Sequence, residues 1–311
     1  MSLAFIFPGQ GSQSVGMLSE LAAKHPIVEK TFAESSDALD YDLWSLVQNG
    51  PKEDLNQTDR TQPAMLTAGV ACWRVWQQSN GDMPAVLAGH SLGEYTALVC
   101  AEALSLSDAA SLVADRGRFM QTAVPAGEGA MAAVLGMEDD AVISVCNDAA
   151  EGEVLSAVNF NSPGQVVIAG ATSAIERATV LAKERGAKRA LVLPVSVPSH
   201  CALMAPAAEQ LRERLTTITI TTPVVPVINN VDVDAVTNVD AIRSALVKQL
   251  DHPVRWVETI NKMSAESVMT MIECGPGKVL VGLNKRINKD IQTLALFDDA
   301  TLDAALAATQ S

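Results

Sequence analysis

The segment GHSLG at residues 89–93 constrains this chain most, because it places Ser91 at the centre of a G-x-S-x-G pattern. An apolar run at 85–88 precedes the segment, and an apolar helical stretch at 94–101 follows it. This order of strand, sharp turn and helix is typical of a nucleophile elbow. The pattern therefore predicts chemistry at an acyl group, with amides at the helix start binding a developing oxyanion. The alternative is a tight turn whose serine only caps the helix.

Composition limits the classes of protein to which the chain can belong. Its 311 residues, 48% of them hydrophobic and 19% charged, are typical of a globular protein with one to three domains. A net charge of −14 argues against nucleic acid as a partner. The sequence has neither a basic signal-peptide start nor an apolar run of roughly 18 residues that could span a membrane. Five scattered cysteines without a C-x-x-C pair predict reduced thiols, so we expect a cytoplasmic protein without a metal site.

Strand-like runs, among them one at 224–229, alternate with helical stretches along the chain, which is typical of α/β architecture. In the middle of the chain the order becomes β-α-β-β-α-β, with strands predicted at 130–135, 155–161, 165–170 and 190–197. This order is the ferredoxin-like unit. We therefore expect a small ferredoxin-like α+β domain at 125–198, inserted into a larger domain formed by 1–124 and 199–311.

His200 is the candidate base for Ser91, because it lies between an apolar strand and a predicted helix at 201–217. Apolar residues follow it at three, four, seven and eleven positions, which predicts that His200 lies on the buried face of this helix. They are Leu203, Met204, Ala207 and Leu211. A helix N-terminus disfavours imidazolium and would keep the ring neutral. The alternative is a core or helix-capping histidine. His90 is a poor base for Ser91, because adjacent residues point apart.

Arg116 lies on an apolar helical face that it shares with Leu112, Val113, Phe119 and Met120. A guanidinium in such a place must find an anion, or its burial costs several kcal/mol. The anion is either an internal carboxylate, in a salt bridge, or the carboxylate of a ligand held by two parallel hydrogen bonds. Together with a serine nucleophile, the second interpretation predicts an acyl substrate with a free acid at its far end.

Seven segments follow one another over nearly the whole chain: FPGQGSQ at 7–13, GHSLGE at 89–94, RG at 116–117, NFNSPGQ at 159–165, PSH at 198–200, VINNV at 227–231 and ECGPG at 273–277. Together they resemble the acyltransferase family of the bacterial malonyl-CoA:acyl carrier protein transacylases and of fatty acid and polyketide synthases. The resemblance implies a large α/β-hydrolase-like domain with a parallel sheet, the small domain inserted in it, and a site in the cleft between them. It also implies that Ser91 is acylated, that His200 is its base, and that a backbone carbonyl near Gln249 orients the histidine.

The implied reaction moves a malonyl group from malonyl-CoA to the phosphopantetheine thiol of acyl carrier protein through malonyl-Ser91, without a cofactor, in fatty acid biosynthesis. The amides of Gln10 and Leu92 would bind the oxyanion, Arg116 would pair with the malonyl carboxylate, and Gln249 would line the same pocket. Carrier protein and this chain are both acidic, so docking requires a local basic patch. Lys188 and Arg189 belong to the favoured cluster, and Lys285, Arg286 and Lys289 form a second one. The resemblance favours a monomer.

Two other functions stay open from the residues. A serine hydrolase uses the same elbow, but usually has an acid between serine and histidine and its histidine close to the C-terminus. Here about 110 residues follow His200. A non-catalytic acyl-binding subunit would be favoured by loss of Ser91 or His200, and both are present. Among transferases, specificity for methylmalonyl or other acyl groups also stays open.

Overall fold

The structure is a computed structural model that describes residues 2–195 and 197–309. Met1, Ser196, Gln310 and Ser311, which the predicted domains and the predicted strand at 190–197 include, lie outside the described residues. Two separate sheets organise the chain, one with five strands and one with four.

Strands and helices alternate along most of the described chain. The strands are β1 (Ser2–Phe7), β2 (Val86–Gly89), β3 (Gly129–Leu135), β4 (Leu155–Ser162), β5 (Gln165–Ala171), β6 (Arg189–Val192), β7 (Val227–Ile228), β8 (Val268–Cys274) and β9 (Gln292–Leu296). The helices are α1 (Ser19–Lys24), α2 (Ile27–Leu39), α3 (Leu43–Asn49), α4 (Lys52–Leu55), α5 (Thr58–Gln78), α6 (Leu92–Cys100), α7 (Leu106–Ala123), α8 (Asp139–Ala150), α9 (Thr172–Glu184), α10 (Ala205–Leu215), α11 (Val239–Lys248), α12 (Trp256–Ala265), α13 (Val279–Ile287) and α14 (Asp299–Thr309).

The larger sheet has the strand order β7-β2-β1-β8-β9, and every neighbouring pair is parallel. Along β1, Phe5 and Phe7 pack into one core while Ala4 and Ile6 pack into another, so both faces of the sheet are covered. Phe7, the last residue of β1, lies opposite Gly89, the last residue of β2. The loops after these two strands therefore emerge side by side, where open parallel sheets bind ligands.

The smaller sheet has the strand order β4-β5-β3-β6 and is antiparallel throughout. Apolar residues of α8 and α9 share one buried core with residues of this sheet. The connections follow the order β-α-β-β-α-β, so the predicted fold class, a parallel α/β sheet with an inserted ferredoxin-like unit, is confirmed. The predicted boundaries at 124/125 and 198/199 fall in the loops between α7 and β3 and after β6, and they stay a prediction.

Main-chain hydrogen bonds join β4 of the smaller sheet to the loop between α11 and α12. The amide of Phe160 in β4 donates to the carbonyl of Val254 at 3.0 Å, and the amide of Val254 donates to the carbonyl of Val158 at 2.8 Å. The Arg286 side chain of α13 also donates to Gln165 of β5 at 2.9 Å. These contacts hold the small sheet against the loop between α11 and α12.

Proline shortens two strands relative to the sequence predictions, which were wrong there. The strand predicted at 190–197 ends at Val192, because Pro194 lacks the amide hydrogen that a ladder needs. The strand predicted at 224–229 is only β7, which directly follows Pro226. The helix predicted from residue 201 begins as a 3₁₀ turn, Ala202–Met204, before α10.

The turn after β2 leaves no space for side chains at its two glycines. A Cβ atom on Gly89 would lie 1.8 Å from the carbonyl carbon of Gly93, and one on Gly93 would lie 2.1 Å from the carbonyl oxygen of Phe7. Ser91 itself has φ 52° and ψ −110°, a conformation that L-residues rarely adopt. Close contact between β1 and the start of α6 therefore requires the G-x-S-x-G spacing.

We expect Gly93→Ala to lower the free energy of unfolding by about 2 kcal/mol or more, because the new methyl group overlaps the backbone of Phe7. Gly282→Ala is the matched control, because this helical glycine has no atom within 4 Å of its Cβ position. The control should be neutral or up to about 1 kcal/mol more stable, since alanine favours helix. Urea unfolding of both variants tests this expectation, and equal effects would contradict it.

Candidate active site

Ser91 lies in a cleft of about 130 Å³ between the two sheets. The wall from the larger sheet and its helices includes Gln10, Ser91, Leu92, Arg116 and His200, and the wall from the smaller sheet includes Met131, Asn159, Val167 and Leu193. The elbow thus presents its serine to a pocket that is polar on one side and largely apolar on the other.

Ser91 and His200 form a hydrogen-bonded pair. Ser91 Oγ lies 2.8 Å from His200 Nε2, and His200 Nδ1 lies 2.6 Å from the main-chain oxygen of Gln249. Because a carbonyl oxygen only accepts, Nδ1 must carry the ring proton, which leaves the Nε2 lone pair facing the serine hydroxyl. The geometry suits proton transfer from serine to histidine without a triad carboxylate.

The environment of His200 keeps its imidazole neutral. The residue is 3% exposed, and its burial, followed by the charge of Arg116, lowers the pKa of His200 to about 3. The expected helix N-terminus is not the cause, because His200 lies in a turn with φ 67° before the 3₁₀ segment. That part of the sequence interpretation was wrong, and desolvation produces the neutral ring instead.

Arg116, in α7, is 1% exposed and points at the serine. Its Nη1 donates to Gln62 Oε1 at 2.7 Å, while its Nη2 donates to Gln249 Oε1 at 3.0 Å and lies 3.4 Å from Ser91 Oγ. Its Nε has no partner, and no carboxylate pairs with this guanidinium in the described part of the chain. The internal salt bridge is therefore not the arrangement found here, and neutral amide oxygens leave the positive charge available to an anion.

Gln10 follows β1 and Leu92 begins α6, and both line the cleft beside Ser91. Neither backbone amide has a hydrogen-bond partner among residues 2–195 and 197–309. Two free N–H groups beside a serine, one of them at a helix start, suit an oxyanion that develops during attack. Gln249 is fully buried and supports the pocket from behind through hydrogen bonds, whereas the sequence analysis expected it in the lining.

Two residues that hold the elbow, Asn230 and Glu94, have no role predicted from the sequence. Asn230 Oδ1 accepts the Ser91 amide at 2.7 Å, and its Nδ2 donates to the Gly89 carbonyl at 2.6 Å. Glu94 accepts from the Asn230 amide at 2.9 Å. The available signals were a polar Asn pair after β7 and an acid three positions after the serine, where an N-cap partner often lies.

Lys188 and Arg189 are exposed, the first just before β6 and the second at its start. Strand β6 is an edge strand of the smaller sheet, and neither residue lines the cleft. In the described part of the chain, no group of three or more His, Cys, Asp or Glu side chains could hold a metal ion. No helix there is long and apolar enough to cross a membrane.

Comparison with known proteins gives one family. The sequence matches the acyl transferase domain model over residues 4–298. A malonyl CoA-acyl carrier protein transacylase of Salmonella typhimurium is 60% identical over 303 residues, which cover 97% of this chain and 98% of that protein. The Bacillus subtilis protein with the same name is 48% identical over 305 residues, covering 98% and 96%.

Solved structures agree with this match. An acyl carrier protein S-malonyltransferase from Vibrio cholerae has a TM-score of 0.96 and 61% identity, covering 98% of this chain and 99% of that chain. A malonyl-transacylase solved in complex with a type II PKS acyl-carrier protein has a TM-score of 0.98 and 53% identity, covering 99% and 100%.

A strand-to-helix elbow whose serine meets a neutral histidine, with free amides beside it, is the arrangement of an acyl-transferring enzyme. The chain belongs to the acyl transferase domain family, and the resemblance seen in the sequence is confirmed.

The neutral state of His200 predicts that its ring does not take up a proton between pH 8 and pH 5. Its pKa lies below that of an unfolded histidine, about 6.5, so the proton favours the unfolded chain and stability falls as pH drops below that value. Imidazole ¹⁵N chemical shifts, assigned by the signal lost in His200→Gln, measure the protonation state directly. A midpoint for His200 between pH 6 and 7 would contradict the account.

Proposed function

We propose that this chain transfers the malonyl group of malonyl-CoA to the phosphopantetheine thiol of acyl carrier protein, in fatty acid biosynthesis in the cytoplasm. The observation that carries the proposal is the Ser91–His200 pair, which lies next to a buried Arg116 that no carboxylate of the described chain neutralises. The relative from Salmonella typhimurium and the structural neighbour from Vibrio cholerae are both named for malonyl transfer involving acyl carrier protein. An acyl group on Ser91 that ends in a carboxylate would meet the guanidinium within the same cleft.

In the first half-reaction, Ser91 Oγ attacks the thioester carbonyl carbon while His200 Nε2 takes the hydroxyl proton. The tetrahedral oxyanion is bound by the amides of Gln10 and Leu92. When the carbon–sulfur bond breaks, His200 returns the proton to the CoA sulfur, and malonyl-Ser91 remains. The bond between Nδ1 and the Gln249 carbonyl keeps the ring oriented as it becomes transiently charged.

In the second half-reaction, the carrier-protein thiol gives its proton to His200 and attacks the serine ester. The same amides bind the second oxyanion, and Ser91 regains its proton from the histidine. Arg116 anchors the malonyl carboxylate and so favours malonyl over acetyl groups, since an acetyl group leaves the buried guanidinium without an anion. Water must react more slowly than the thiol, and the largely apolar wall of the smaller sheet favours this.

We propose that the carrier protein docks on the β6 edge through Lys188 and Arg189. Both side chains are exposed, and two apolar neighbours on the strand, Leu191 and Val192, are 51% and 56% exposed. The next residue, Leu193, already lines the cleft. A partner bound to this edge could therefore reach Ser91 with a flexible arm.

The reaction predicts a mass increase of one malonyl group on brief incubation with malonyl-CoA, and none for Ser91→Ala. Intact-protein mass spectrometry measures the increase, and addition of phosphopantetheinylated carrier protein should remove it within the turnover time. Rapid loss to water alone would indicate a hydrolase instead. No increase with any acyl-CoA would contradict the proposed function.

The docking proposal predicts that reversing both charges, Lys188→Glu with Arg189→Glu, lowers kcat/KM for carrier protein about 10-fold or more. Acylation of Ser91 by malonyl-CoA should not change, because CoA is not the partner bound there. Lys285→Glu with Lys289→Glu is the control, because it also reverses two positive charges, but at another exposed site. Unchanged transfer in the first variant would refute docking at this edge.

A further inference from the structure

Glu94 is a buried carboxylate for which the reaction scheme has no use. It lies in the first turn of α6, three residues after Ser91, and is 2% exposed. Its Oε2 accepts from Gln249 Nε2 at 2.8 Å and from the Asn230 amide at 2.9 Å. It lines a separate cavity of about 10 Å³ and is not among the residues that line the cleft beside Ser91.

The contacts of Glu94 determine which way the Gln249 amide points. Gln249 Nε2 has two hydrogens, which it donates to Glu94 Oε2 and to the Ser91 carbonyl at 3.0 Å. The Ser91 carbonyl oxygen can only accept hydrogen bonds, and so can an ionised Glu94 carboxylate. The amide oxygen of Gln249 must therefore face Arg116, whose Nη2 donates to it. A flipped amide would place two donors against the guanidinium and repel it.

Burial and the neighbouring groups act on the charge of Glu94 in opposite directions, while its Oε2 accepts both hydrogen bonds. Burial raises the pKa of Glu94 to about 7, while the hydrogen bonds from Gln249 and Asn230 and the charge of Arg116 oppose that increase. Asp232 is the other charged group nearby, and it adds to the increase. The two donors, and the charge of Arg116 on the far side of Gln249, therefore offset part of the cost of burying this carboxylate.

We propose that Glu94 is a positioning residue: its carboxylate orients the Gln249 amide, and through that amide it holds Arg116 ready for the substrate carboxylate. The proposal rests on the proposed function, because it assigns the selection of malonyl to a residue that the acyl group does not contact. Glu94 also holds the Asn230 main chain, and the Asn230 side chain binds the Ser91 amide. One acid thus supports both the anion site and the elbow.

The test is a double-mutant cycle of Glu94→Gln and Gln249→Ala, read as single-turnover acylation of Ser91 by malonyl-CoA and by acetyl-CoA. Glu94→Gln keeps the shape and one oxygen in the place of Oε2, but it removes the charge from the acceptor of both hydrogen bonds and adds an amide group that can donate. Gln249→Ala leaves the main-chain oxygen that binds His200. We expect Glu94→Gln to lower the second-order rate constant of acylation by malonyl-CoA about 10-fold, with a smaller loss for acetyl-CoA. In the Gln249→Ala background, the same Glu94→Gln change should lower the rate of acylation by less than about twofold.

Glu273→Gln is the matched control, because Glu273 is also fully buried, and it binds the Val281 amide at the start of α13 instead. This variant should lose stability and keep the malonyl-to-acetyl ratio. If Glu94→Gln does not fold, Glu94→Asp replaces it, since a retained charge at a shorter reach must still lower the ratio. Wild-type rates and ratio in the Glu94 variant, or additive effects in the cycle, would overturn the proposal. Failure of the wild-type enzyme to become acylated would instead overturn the proposed function.

Discussion

The hydrogen bonds of Gln249 are the interactions on which the rest of the site depends. Its main-chain oxygen fixes the tautomer of His200, its amide oxygen holds Arg116, and its amide nitrogen binds the Ser91 carbonyl. The base, the anion site and the elbow therefore share one residue at the end of α11. Because all these groups are buried, an unmet hydrogen bond there would cost about 1–3 kcal/mol, and the network tolerates little rearrangement.

The fold brings these groups together through parallel strands and one insertion. Neighbouring ends of β1 and β2 place Gln10 beside the elbow, and α7 carries Arg116 toward the same point. The small sheet closes the other side, held by the pairing of β4 with Val254, five residues after Gln249. The cleft thus exists only when both sheets are folded and joined, so the site depends on tertiary contacts on each side.

Features set by local chemistry could be predicted from the sequence. The glycine spacing around Ser91 and the apolar face of Arg116 are visible within one strand or helix, and so is the β-α-β-β-α-β order. Strand ends near Pro194 and Pro226 were placed too far because the apolar run was given more weight than the missing amide hydrogens. The contacts of Glu94 could not be read locally, because Asn230 and Gln249 are 136 and 155 residues away along the chain. The cause of the neutral His200 was likewise tertiary, since burial rather than a helix end lowers its pKa.

The central claim is that the guanidinium of Arg116 awaits the substrate carboxylate beside the acylated serine. A crystal structure of the enzyme trapped after reaction with malonyl-CoA tests this most directly. The account predicts malonyl-Ser91 with its carboxylate hydrogen-bonded to Arg116, and with His200 Nδ1 still bound to the Gln249 carbonyl. A malonyl carboxylate that points to solvent, with Arg116 bound only to Gln62 and Gln249, would contradict the account.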